Sequence, residues 1–74
     1  MAAFTDIDLY QRRHGQAPAG DGDFAFVIAG DRHGRCQQRT FAASGSFAGC
    51  CRAAYRVARH HGWSADSITL TVLP

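Results

Sequence analysis

Between Ser44 and Gly62 the chain reads SGSFAGCCRAAYRVARHHG, a segment whose periodicity predicts an amphipathic helix with a slim buried side. At about 100° per residue, Phe47, Cys51, Ala54 and Ala58 fall on one line, with Cys50, Val57 and His61 along its edge. Ser44 and Ser46 each offer a hydroxyl to the free amides of a first turn, and Gly62 suits the left-handed residue that ends a helix. Because most of the line is small, the helix axis can approach a sheet closely, and the large side chains must come from that sheet. The opposite face carries Arg52, Arg56 and Arg59 at i, i+4 and i+7, a basic stripe.

The partner sheet is legible on both sides of the helix. In Asp23 to Ala29, Phe24, Phe26 and Ile28 alternate with Ala25, Val27 and Ala29, so one strand face is bulky and suits the small helix face. Gly30 to Gly34 reads as a hairpin loop leading to a second, antiparallel strand from about Arg35 to Ala43. Gln37, Gln38, Arg39 and Thr40 make that strand polar and place it at a sheet edge. After the helix, Gly62 to Ser67 turns the chain, and Ile68, Leu70 and Val72 alternate with Thr69 and Thr71 as a last strand.

Two readings compete in Thr5 to Arg13. Thr5, Ile7 and Leu9 alternate like a strand, whereas Thr5 as N-cap with a Phe4 and Leu9 staple gives a short helix stopping before Gly15. The strand is preferred, because a helical wheel turns Leu9 away from Ile7 and Tyr10. His14 to Gly22, with three glycines and a proline, reads as a flexible loop. The expected fold is α+β: a small antiparallel sheet of three to four strands, ordered β-β-β-α-β, with one main helix on one face and the other face only partly covered. Residues 1–22 form an N-terminal segment and loop, and residues 23–74 a ββαβ core. The core side chains are expected to be Phe24, Phe26, Ile28, Phe41, Ala54, Val57, Ile68 and Leu70.

Seventy-four residues make one small domain, and 46% hydrophobic against 19% charged residues favours a folded chain over a disordered one. The opening MAAFTDIDLY has no basic region followed by an apolar run, and no stretch approaches membrane-spanning length, so a cytoplasmic protein in a bacterial host is expected. Every charged side chain apart from histidine is Arg or Asp, with no Lys or Glu, which fits coding bias from a GC-rich genome of bacterial or phage type. A net charge of +2 does not impose nucleic-acid binding, although local clustering can support it. Three cysteines, two of them adjacent, make reduced thiols the default.

His14, His33, Cys36, Cys50, Cys51, His60 and His61 are potential metal ligands, but His33 and Cys36 are their only closely spaced pair from a turn. Core cysteines and solvated histidines explain them, and neither metal nor cofactor is expected. Cys51, His61 and Asp66 form a nominal nucleophile, base and orienter with no supporting motif, so a non-enzymatic domain is expected. The charged features that remain are the Arg52, Arg56 and Arg59 stripe and the hairpin arginines Arg32, Arg35 and Arg39. A solvated helix face with cations near the negative dipole end accounts for the stripe by itself. A functional reading requires an anionic partner, either nucleic acid phosphate or an acidic protein surface.

A hairpin followed by an Ala-rich basic helix resembles part of a double-stranded RNA-binding domain. That family, however, begins with a helix and clamps phosphate with lysines where this chain has Ser44-Gly45-Ser46-Phe47. The succession Phe24-x-Phe26-x-Ile28, the hairpin ending at Gly34, Thr40-Phe41-Ala42-Ala43-Ser44, the helix closing at His61-Gly62-Trp63, and Ile68-x-Leu70-x-Val72 is similar to small phage-encoded anti-CRISPR proteins that inhibit type I systems. HicB-like antitoxin domains share the same layout. The anti-CRISPR resemblance implies a protein that inhibits by binding a CRISPR-Cas effector, as a monomer or weak homodimer. The alternatives are a nucleic-acid-binding module using the arginine stripe and an antitoxin-like or structural homodimer using the open sheet face.

Overall fold

In the computed structural model, which describes residues 4–74, the bulky alternation of Phe24, Phe26 and Ile28 lies at the centre of the sheet. The elements are β1 (Phe4–Asp6), α1 (Asp8–His14), β2 (Asp21–Arg32), β3 (Arg35–Ser46), α2 (Phe47–His60), a 3-10 turn (Ala65–Ser67) and β4 (Thr69–Val72). The four strands are ordered β1-β4-β2-β3. β2 pairs antiparallel with both β3 and β4, while β1 runs parallel to β4. The fold is α+β, and its sheet is mixed rather than wholly antiparallel.

Phe24, Phe26 and Ile28 turn toward α2, whose Cys50, Ala54 and Ala58 are buried against them. The small helix face thus meets the bulky strand face, as the two periodicities require. Cys50, rather than Cys51, completes the buried line. The helix is rotated so that Cys51 sits half-buried on its flank. Ser46 is the N-cap, accepting the Gly49 amide at 3.1 Å, so Ser44 belongs to β3. Gly62, at φ 82°, supplies the left-handed residue after the helix.

The core also holds Trp63, Ile68, Leu70 and Val72. Trp63 was expected only to turn the chain. It is fully buried, its indole N–H donates to Gln37 Oε1 at 3.0 Å, and its ring lies over Gly30, where a Cβ would come within 2.9 Å of it. Phe41 and Val57, expected in the core, are partly buried at its margin because β3 is the outer strand.

Residues 5–13 depart furthest from the strand reading. β1 stops at Asp6, whose Oδ1 accepts the Asp8 amide at 3.0 Å and turns the chain into α1. The N-cap position is Ile7, not Thr5, and Gly15 at φ 74° ends the helix. Ile7 and Tyr10 pack on the core while Leu9 stays exposed. The order is therefore β-α-β-β-α-β. Tyr10 lies 6.3 Å from Phe24 between ring centroids, and Phe24 lies 5.2 Å from Phe47, so both helices share one sheet face. Ala25, Val27, Ala29, Thr69 and Thr71 lie on the other.

The hairpin is tighter than the five-residue loop expected. Arg32 pairs with Arg35, leaving His33 and Gly34 as a two-residue turn with φ of 54° and 80°. Both positive values are those of a type I′ turn, which matches the twist of the strands it joins. The strands also run longer, beginning at Asp21 and ending at Ser46. The connection before them is tied down by buried Pro18 and by the Gly20 carbonyl, which accepts the Phe47 amide at 2.9 Å.

Candidate arginine-lined groove

Because α2 packs chiefly over β2 and β3 and the short α1 also meets β4, a groove stays open on the Cys51 and Tyr55 flank of α2. The resulting open groove, about 540 Å³ in volume, is lined by Thr5 of β1, Leu70 of β4, and Cys51, Arg52, Tyr55, Arg56 and Arg59 of α2. The floor is apolar, and the helix wall carries three guanidinium groups. All three arginines are exposed, and no carboxylate is among the lining residues. The wheel placed these arginines directly opposite the buried face. The rotation that buries Cys50 brings them instead onto the flank above β4 and β1.

Arg59 is fixed at the end of this wall by donation from its Nη1 to the Trp63 carbonyl at 2.8 Å. That bond also satisfies a carbonyl beyond the helix end, where a cation suits the dipole. Arg52 and Arg56 lie one turn apart, with a rise of about 6 Å between them. Burial, followed by the neighbouring Cys50, raises the Cys51 thiol above its ordinary value, so Cys51 is a neutral part of the floor.

The hairpin arginines lie elsewhere. Arg35 and Arg39 belong to β3, at the opposite sheet edge from β1. Arg39 Nη1 donates to the Gln38 carbonyl at 2.7 Å, and the Arg32 side chain lies beside Gly62. The six arginines singled out in the sequence are therefore not one surface: Arg52, Arg56 and Arg59 line the groove, Arg35 and Arg39 lie on the outer strand β3, and Arg32 lies past the C-terminal end of α2. Thr5, Tyr55 and Leu70 complete the groove, and none of the three was expected at a binding site. Only the parallel pairing of β1 with β4, which no local pattern encodes, places Thr5 beside the helix.

Cys51, His61 and Asp66 are not assembled. Ten residues of helix separate the first two by about 15 Å, and His61 stacks on Trp63 at 5.0 Å. On the hairpin, Asp31 faces the exposed Cys36, whose thiol is raised above its ordinary value by a hydrogen bond to Asp31 and by the charge of that carboxylate. Such a thiol is a poor nucleophile at neutral pH. Among the described residues no group of three or more His, Cys, Asp or Glu side chains is placed to hold a metal ion. Among them too, no helix is long and apolar enough to cross a membrane.

No protein-family model, curated protein or solved structure matches this chain.

Proposed function

We propose that this domain is a non-enzymatic protein-binding inhibitor that seats an acidic surface of its partner against the arginine wall of α2. The observation that carries the reading is the groove itself, with Arg52, Arg56 and Arg59 on one side, an apolar floor, and no acidic side chain in its lining. Planar guanidinium groups bind carboxylates with two parallel hydrogen bonds, and an apolar floor beneath them excludes water from those bonds. In keeping with the anti-CRISPR resemblance, the partner is a bacterial CRISPR-Cas effector, and the domain works in the host cytoplasm by occupying a surface the effector needs.

A second reading draws on Tyr55. An aromatic ring within a basic groove suits single-stranded nucleic acid, whose bases stack while its phosphates meet arginine. Purified type I effector complexes, treated with nuclease and then mixed with the domain, separate the two. Retained binding and loss of target-DNA capture by the effector support inhibition, whereas binding that disappears with nuclease supports the nucleic-acid module. Replacing Arg52, Arg56 and Arg59 together by Gln keeps helix propensity while removing three charges. The expected result is an unchanged fold with slower, less salt-dependent association. Unaltered effector binding by that variant would remove the groove from the interface.

A further inference from the structure

The groove opens beside a free sheet edge, and Thr5 belongs to both. The Phe4 amide donates to the Ile68 carbonyl at 3.2 Å, so the backbone of Phe4 faces β4. Successive residues of a strand present their N–H and C=O groups to opposite sides, which turns those of Thr5 outward from the sheet. The Thr5 side chain, meanwhile, lines the groove with the three arginines. On the reverse face of the same edge, Phe4 keeps 67% of its surface exposed, the largest exposure of any bulky apolar side chain among the described residues.

We infer that β1 accepts an extended acidic segment of a partner protein as a fifth strand, with carboxylates at alternate positions directed to Arg52, Arg56 and Arg59. This inference rests on the protein-binding reading above and specifies the chemistry recognised. Side chains of an added strand alternate between faces, so residues level with Thr5 rise on the groove side and their neighbours lie beside Phe4. Carboxylates two residues apart are separated by about 6.7 Å along a strand, close to the rise of about 6 Å between Arg52 and Arg56. An alternating acidic and apolar sequence satisfies the free edge, the arginine wall and Phe4 together. Single-stranded nucleic acid matches the arginines, and its phosphates can accept from the outward amide of Thr5, but it lacks the alternating N–H and C=O groups of an added strand.

The probe is an acetylated, amidated heptapeptide alternating valine with glutamate, its affinity followed by anisotropy of a terminal fluorophore as salt is raised. The acidic peptide should bind in a salt-dependent way. Its glutamine counterpart, or the Arg52→Gln, Arg56→Gln, Arg59→Gln protein, should bind at least about tenfold more weakly. The same peptide N-methylated at every residue should lose a comparable factor, because it keeps every charge but has no backbone N–H to pair from either edge. Thr5→Pro removes the outward amide without touching the bond to β4 and should reproduce that loss with unchanged circular dichroism. Gln at Arg35 and Arg39, on the far flank, should leave affinity as it was.

Undiminished binding of the N-methylated peptide to the native protein would overturn the inference, whatever Thr5→Pro does to folding. So would preference for a short oligothymidylate over the acidic peptide, or no binding of that peptide at millimolar concentration. An effector complex bound as tightly by a folded Thr5→Pro protein as by the parent would overturn strand addition alone and leave the inhibitor reading standing. Peptide binding without effector binding would instead remove the effector and leave the groove chemistry intact.

Discussion

Phe26 is fully enclosed, its ring 6.3 Å from both Phe41 and Phe47 between centroids, at the point where β2, β3 and α2 meet. Truncation there leaves a cavity that small helix residues such as Ala54 cannot fill. Phe26→Ala should therefore cost about 3–5 kcal/mol, a large fraction of the stability of so small a domain. Thermal melting checks this, and a variant melting within a degree or two of the parent would contradict the packing. Cys51 adds a pH-dependent contribution. Burial raises its thiol above the ordinary 9.0, so the folded state holds that proton more tightly than the unfolded chain. The contribution is complete below the ordinary value and is lost as pH rises through the folded one. Cys51→Ala should accordingly show a shallower loss of stability on the alkaline side, measured by urea titration at successive pH values. Phe26 could be read from alternation alone, whereas Trp63 could not. A lone aromatic after a glycine carries no periodicity, and its burial depends on Gly30, 33 positions earlier, offering bare backbone for the ring to lie on.

Among the elements, β2, α2 and β4 were legible because each repeats its apolar pattern over enough residues to set a face. β1 and α1 were not. Three residues of strand and seven of helix share one stretch, and the alternation of Ile7 with Leu9 suggests a strand that Asp6 interrupts by accepting the Asp8 amide. The absence of Leu9 from the apolar helix face argued against α1, yet the protein leaves Leu9 exposed and builds the face from Ile7 and Tyr10. The hairpin gives a further test of local chemistry. His33 occupies a left-handed conformation at φ 54°, which costs a side chain more than it costs glycine and which Asn tolerates well. His33→Asn should raise the melting temperature modestly without altering the register of β2 with β3. A lower melting temperature would mean that the imidazole contributes more than the turn geometry asks of it.

At the scale of the whole molecule, the N-terminal segment is part of the fold rather than a prelude to it. The sequence divided the chain into residues 1–22 and a core of 23–74, because glycines and a proline separate the two. Sheet pairing, side-chain packing and a hydrogen bond all cross that division. β1 covers the outer side of β4 and lies beside Leu70, Tyr10 packs against Phe24, Pro18 is buried, and the Gly20 carbonyl takes the first amide of α2. β4 has only four residues, and without β1 it would become an exposed edge. The groove would lose Thr5 at the same time. A fragment beginning at Asp21 should therefore lose both stability and cooperativity, since a chain this short has little buried surface to spare. Trp63, the single tryptophan, reports on the core from a site remote from the cut. In the full chain its fluorescence and the far-ultraviolet circular dichroism should melt together, as expected of one cooperative unit. In the fragment its emission should already be red-shifted at low temperature, and the two transitions should separate. A fragment that melts at the temperature of the full chain, with coincident transitions, would show that residues 21–74 are a complete unit and that β1 is dispensable to all but the groove.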